Sequence, residues 1–198
     1  MKISIITASY NCANFIEKTI KSILTQSYEN WELIIVDDGS SDDSINIISR
    51  YLSDKIKLFQ HENNANKGLK ETIKLGISKA QSSYIAFLEC DDYWDSNYLL
   101  EKIKILEEKP EINLIFNDVE FFGNKEIVQE HEQNRSEQGG SWYRDISSDL
   151  LICNIIPTFS AVLVKKETLS QCNFDTPIDA YLDWWLWNQI AINNKIYF

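Results

Sequence analysis

Residues 33–42 read LIIVDDGSSD and residues 84–92 read YIAFLECDD. Each is an apolar run that ends abruptly in carboxylates. No charged residue interrupts either run, so a strand formed there is covered on both faces, as in a parallel sheet. Outward from these two runs, the chain alternates short β-branched stretches with helical patterns. Ile3-Ser4-Ile5-Ile6 predicts a first strand, and Phe15 to Leu24 carries apolar residues at helical spacing. Asp37-Asp38-Gly39-Ser40-Ser41-Asp42 is turn chemistry, and a helix is expected from Ile45 to Leu52. Ile56 to Phe59 predicts a strand, Gly68 to Ala80 a helix, Tyr84 to Leu88 a strand and Leu99 to Leu106 a helix, and Leu114-Ile115-Phe116 starts a fifth strand. The alternation defines an α/β protein with a Rossmann-like, mostly parallel central sheet flanked by helices. Ligands of such sheets gather beyond the carboxyl ends of the strands, where both acidic clusters lie.

Past about Val119 the rhythm changes. Residues 123–141 are polar and predict a loop or hairpin tip; Trp142 to Cys153 predicts a helix, Thr158 to Val164 a strand, and Ala180 to Ile192 a Trp-rich helix. Lys195-Ile196-Tyr197-Phe198 reads as a strand at which the chain stops, so the expectation is one domain truncated at its C-terminus: residues 1–118 as one half, 119–198 as the other.

With 19 Lys+Arg against 30 Asp+Glu, the formal charge is −11, which disfavours a nucleic-acid surface. No apolar run is long enough to span a bilayer, and Met1 to Tyr10 lacks the pattern of a secretory signal. Cys12, Cys90, Cys153 and Cys172 are scattered without a CxxC pair and read as reduced thiols of a cytoplasmic protein. Asn134-Arg135-Ser136 matches a glycosylation sequon, which has no weight without a secretory route.

Asp37-Asp38 reads equally as a turn with a helix cap or as a pair of ligand-binding carboxylates. Glu89, Asp91 and Asp92 suit Mg²⁺ or Mn²⁺, which take oxygen ligands and keep positions open for phosphate; one such cluster alone reads as a solvated acidic turn. Asp183 stands among Trp184, Trp185 and Trp187. Loss of solvation there would raise its pKa, as a general base requires, whereas an Asp in a first helical turn is also favoured by the helix dipole alone. His61 and His131 have no metal-ligand spacing, and no GxxxxGK[ST] loop occurs.

Taken together, the run from Ile3 to Ser44, the Asn66-x-Gly68 step and the segment YIAFLECDDYW resemble the family 2 glycosyltransferases of the GT-A fold, of the bacterial polysaccharide and lipid-linked glycan type. The resemblance implies an inverting hexosyltransferase that moves a sugar from a nucleotide-sugar, most often a UDP-sugar, to a glycan or lipid-linked acceptor hydroxyl. It makes residues 1–118 the nucleotide-sugar-binding half and 119–198 the acceptor side. Ala8, Tyr10 and Asp38 would hold the nucleoside, Asp91 would ligate Mn²⁺ or Mg²⁺ on the diphosphate, and Asp92 would assist. Asp183 would be the catalytic base. Glu89 stands where the family's Asp-x-Asp motif opens and is one methylene longer.

Leu182 replaces the Glu that commonly precedes the base, and Ile73-Lys74 replace an Arg-Asn pair. Lys67, Lys70 and Lys74 are candidates for the missing cation; Lys70 joins Ala8, Tyr10, Asp38, Glu89 and Cys90 in the expected nucleotide-binding set. The implied location is the cytoplasm, at the inner face of the membrane, with peripheral association left open. Two other readings remain at this point: a non-catalytic nucleotide-binding module of the same fold, and a nucleotidyltransferase that makes sugar nucleotides. The second would carry a Gly-rich, cationic loop after its first strand, where this chain has Ala8-Ser9-Tyr10-Asn11-Cys12.

Overall fold

The computed structural model describes residues 1–123, 128, 142–176 and 179–198. The first half runs β1 (Ile3–Ser9), α1 (Ile16–Leu24), β2 (Trp31–Asp37), α2 (Ser44–Ser49), β3 (Ile56–Gln60), α3 (Gly68–Lys79), β4 (Tyr84–Phe87), α4 (Tyr98–Glu108) and β5 (Leu114–Ile115). The second half contributes β6 (Tyr143–Arg144), α5 (Ser147–Ile152), a 3₁₀ turn at Phe159–Ala161, β7 (Leu163–Lys165), α6 (Lys166–Ser170), α7 (Leu182–Asn193) and β8 (Ile196–Tyr197).

The strands form one eight-stranded sheet in the order β3-β2-β1-β4-β7-β5-β8-β6. β1 lies parallel between β2 and β4, and β3 is parallel to β2. Beyond β4 the sheet is mixed: β7 is antiparallel to both β4 and β5, β8 is parallel to β5, and β6 is antiparallel to β8. The parallel half corresponds to the β-α alternation of the sequence.

Side chains alternate between the two faces of the sheet. Ile3, Ile5, Leu33, Ile35 and Ala86 pack with Ile16, Ile20 and Ile23 of α1 and with Leu99, Ile103 and Leu106 of α4. Ile6, Ile34, Val36, Ile85 and Phe87 turn the other way, toward Ile73 of α3 and Leu186, Trp187 and Ile190 of α7. Each fully buried Ile or Leu among them contributes about 1.5–3 kcal/mol by leaving water. All seven residues of β2 are buried, as its uninterrupted apolar run predicts.

Three expectations change. Trp142 to Cys153 is not one helix: Tyr143–Arg144 forms β6 against β8, and the helix begins only at Ser147. Thr158 to Val164 is a strand only at its end, because the Thr158 side chain accepts from the Ser160 N–H and opens a 3₁₀ turn. Cys12 and Cys90 are not reduced thiols but are joined in a disulfide, whereas Cys153 and Cys172 are free. β1 and β4 are adjacent parallel strands, so the loops leaving their carboxyl ends lie side by side. That brings the two Cα atoms to 6.3 Å, within disulfide reach, although 78 residues separate them along the chain. Most of the polar stretch 123–141, including the sequon and His131, lies outside the described residues.

Candidate active site

The carboxyl ends of β1, β2 and β4 open on a cleft of about 420 Å³ lined by Ala8, Ser9, Tyr10, Asp38, Asn66, Gly68, Leu69, Thr72, Glu89, Cys90 and Asp91. A second cavity of about 720 Å³ continues past Glu89 and Asp91 and adds Asp92, Tyr93, Trp94 and the segment from Asn117 to Phe122. Glu89 and Asp91 thus form the shared wall of the two.

The twin acids at the end of β2 divide their work. Asp37 is fully buried and closes its own turn, accepting from the Gly39 and Ser40 amides at 3.1 and 2.9 Å and from the Ser40 hydroxyl at 2.5 Å. Asp38 reaches across the sheet edge, and its two oxygens accept from the Lys67 and Gly68 amides at 2.7 and 2.9 Å. Those amides open α3, where unpaired N–H groups carry partial positive charge. Gly39 has φ +78°, and a Cβ there would lie 2.6 Å from the Asn64 carbonyl oxygen, so the turn and the Asn64–Asn66 loop fit only around glycine. The loop after β1 is pinned to the same turn, with the Asn11 amide donating to Ser40 Oγ and the Asn11 side chain accepting from the Ser41 amide. Tyr10 is left half-exposed at the rim.

At the end of β4, Glu89 and Asp91 have different surroundings. Glu89 accepts a hydrogen bond from the Thr158 hydroxyl, and its amide donates to Ser160 Oγ at 2.9 Å. Burial pushes its carboxyl up to about 7, aided by the charges of Asp92, Asp91 and Asp183, while the Thr158 bond opposes the shift. The 3₁₀ turn that supplies these partners is itself anchored: the Ser160 carbonyl accepts from Trp94 Nε1 and the Tyr98 hydroxyl, and the Ala161 carbonyl accepts from the buried Lys102 ammonium. Asp92 is raised chiefly by burial. Asp91 is exposed and lines both cavities. An open carboxylate beside a second, shielded one matches what Mg²⁺ or Mn²⁺ takes from a protein, since those ions keep sites for water and phosphate. Among the described residues no three such side chains converge, so the protein's share of a cation site here is the Glu89 and Asp91 oxygens that line both cavities.

Asp183 lies in the first turn of α7, partly buried, and its Oδ2 accepts from Asn154 Nδ2 at 2.9 Å. Burial raises its pKa, while the Asn154 bond and the helix-terminal amides oppose the rise. Asp183 lines neither of the two cavities, and its charge adds only a minor upward push on the Glu89 carboxyl. The Trp residues around it take different positions. Trp187 is fully buried against Phe87 and Phe159, whereas Trp184 and Trp185 donate to the carbonyls of Leu150 and Asn173 at 2.5 and 2.7 Å.

Ala8, Tyr10, Asp38, Glu89, Cys90 and Asp91 all line one cleft. Lys70 is not among the residues lining that cleft; its ammonium lies 3.8 Å from Asp175 Oδ1. Ile73 is buried, and Lys74 pairs with Glu71 on the outer face of α3. Leu182 is a core residue, 1% exposed. Thr158, read from the sequence only as the start of a strand, and His61, set aside there as lacking metal-ligand spacing, stand on site carboxylates. Neither has a sequence signal, since each reaches its acid only through tertiary packing.

The molecule is thus an α/β sheet with an acidic cleft at the carboxyl edge of its parallel strands. The match to a family model narrows the class: residues 4–167 match the glycosyl transferase family 2 model, and the chain belongs to that family. It is 29% identical over 194 residues to the Escherichia coli protein named UDP-Glc:alpha-D-GlcNAc-diphosphoundecaprenol beta-1,3-glucosyltransferase WfgD, covering 98% of this chain and 71% of the relative. The fold is that of S. aureus TarS, with a TM-score of 0.77 at 21% identity over 100% of this chain and 57% of TarS; TarS has also been crystallised with UDP and with UDP-GlcNAc. A mannosyltransferase of Pyrobaculum calidifontis, solved with GDP-Man and Mn²⁺, shares the fold with a TM-score of 0.71 at 18% identity, over 98% of this chain and 53% of its own. This is the GT-A fold. The chain spans 56% of one curated relative and 27% of another, each matched along more than nine tenths of this chain.

Proposed function

We propose that this chain carries the donor-binding and catalytic machinery of an inverting glycosyltransferase, which transfers a hexose from a nucleoside diphosphate sugar, a UDP-sugar, to a hydroxyl of a glycan or lipid-linked acceptor. One observation carries the reading: Ala8, Tyr10 and Asp38 share a cleft with Glu89 and Asp91, and the charge of Asp183 reaches Glu89 from the opposite half. In this reading residues 1–118 bind the donor and residues 119–198 face the acceptor.

Asp38 and the Ala8 backbone hold the base and ribose, with the Tyr10 ring against the base. Asp91, flanked by Glu89 and Asp92, would hold Mn²⁺ or Mg²⁺, which would supply positive charge to the departing diphosphate. Asp183 accepts the proton of the acceptor hydroxyl as the oxygen attacks the anomeric carbon and the bond from that carbon to the diphosphate breaks. A single displacement inverts the centre. Burial serves Asp183 by raising its proton affinity toward that of a useful base, and Asn154 fixes the direction in which its oxygens face. Glu89, tied to Thr158, lines both cavities, and burial pushes its carboxyl up to about 7.

A lipid-linked acceptor, as in the name of the E. coli relative, would bring the protein to the inner membrane face by peripheral contact. Among the described residues no helix is long and apolar enough to cross a membrane. The test is thermal unfolding with UDP, GDP, CDP or ADP, each with Mn²⁺ and again with EDTA. A midpoint that rises with UDP and falls back in EDTA supports the donor site, because a ligand of the native state stabilises it by linkage. No rise with any nucleotide in the full-length chain overturns the reading.

A further inference from the structure

His61 follows β3, and its side chain is 7% exposed against an Asp38 side chain that is 8% exposed. Its Nε2 lies 3.0 Å from Thr72 Oγ1 and 3.5 Å from Asp38 Oδ1. The protonation of that nitrogen follows from counting hydrogens. Thr72 Oγ1 donates its single hydrogen to the Gly68 carbonyl at 2.9 Å, one turn back along α3. Toward His61 the hydroxyl can therefore only accept, so Nε2 bears the proton. That N–H meets the Thr72 oxygen, with Asp38 Oδ1 as its neighbouring acceptor.

Asp38 is thus approached from behind by the Lys67 amide, the Gly68 amide and the His61 ring. Thr72, the link between His61 and α3, lines the donor cleft together with Asp38. The two amides belong to backbone and would remain in any variant. His61 is the side chain that ties β3, α3 and Asp38 into one unit. We propose that His61 is a positioning residue for the base-binding end of the cleft: through Thr72 and Asp38 it sets the angle at which the Asp38 carboxylate meets a nucleobase. The inference rests on the donor-site reading above and extends it to a residue outside the cleft lining.

The chemistry separates the two ends of the ligand. In the donor-site reading, His61 stands behind Asp38 at the base end and Asp91 at the diphosphate end; both carboxylates line one cleft. A role in positioning therefore changes nucleoside recognition and leaves metal–diphosphate affinity alone. A role confined to folding changes both or neither.

The experiment is calorimetric titration of the full-length protein, wild type, His61→Ala and His61→Gln, with UDP, GDP, CDP and ADP in Mn²⁺, and separately with inorganic pyrophosphate in Mn²⁺. Gln carries an N–H donor at nearly the position of Nε2. The expected result is that His61→Ala weakens the nucleotide bound by wild type about tenfold, comparable to the loss of a supporting hydrogen bond behind a ligand group. His61→Gln should recover most of that loss, and pyrophosphate should bind all three proteins alike. Equal nucleotide affinity in wild type and His61→Ala overturns the proposal, as does a parallel loss of pyrophosphate binding in both variants. If wild type binds pyrophosphate but none of the four nucleotides, the donor-site reading itself fails and the inference falls with it.

Discussion

Asn154 donates its side-chain amide to Asp183 across 2.9 Å, tying the segment after α5 to the first turn of α7. The bond opposes the rise that burial imposes on the Asp183 carboxyl. It holds Oδ2 of the proposed base, and the Trp184 and Asp183 amides also favour the charged carboxylate.

Asp183→Asn keeps the shape and removes the proton acceptor. Turnover should fall by about a hundredfold or more, the usual contribution of a positioned general base, while UDP affinity stays within a factor of about two. Retained turnover would remove Asp183 from the mechanism.

Asn154→Ala removes a donor that favours the charged carboxylate, so the Asp183 pKa should rise further. The acid limb of the kcat/KM profile should move to higher pH. A limb that stays in place, or moves down, would show that the group titrating in that profile is not the one Asn154 contacts.

Glu89→Gln tests the buried wall between the cavities. The folded-state pKa of Glu89 is about 7 against an ordinary 4.5, so the native protein holds this proton more tightly than the unfolded chain. The stability linked to that proton is complete below pH about 4.5 and is lost as pH rises through about 7. Gln does not ionise. In EDTA, the variant should gain on wild type by roughly 1–3 kcal/mol at pH 8 compared with pH 4, read from urea unfolding midpoints. A difference that does not grow with pH would place Glu89 in water.

Reduction of Cys12–Cys90 opens a loop spanning 78 residues of sequence separation. By the loop-closure relation this costs about 4 kcal/mol, and Cys90→Ser should cost about as much. The check is the unfolding midpoint with and without a dithiol, together with an intact mass two hydrogens lower before reduction.

Much of the fold was legible because local pattern and final environment agree. Leu33 to Val36 is apolar throughout and becomes part of a strand buried on both faces; Ile16, Ile20 and Ile23 recur at helical spacing and do form the inner face of α1. Trp142 to Arg144 misled because a short edge strand owes its state to its partner. Tyr143 pairs with Tyr197, more than fifty residues away, and nothing in the local sequence encodes that register. The Asp37-Asp38 pair was ambiguous for a similar reason. Both acids have turn chemistry, and only the approach of α3 assigns the turn to Asp37 and the cross-sheet bonds to Asp38.

The sequence by itself determined that this is an α/β chain with acidic clusters at the carboxyl ends of its second and fourth strands, because apolar runs, turn residues and carboxylates are local properties. The tertiary structure alone decided which distant groups face those acids: Cys12 against Cys90, Thr158 on Glu89, Asn154 on Asp183, and His61 behind Asp38. Such contacts depend on the sheet order, which brings the ends of β1, β2 and β4 together and sets Lys70 toward Asp175. Charge type can be read one residue at a time, but a pKa or a hydrogen-bond partner depends on what packs across the gap.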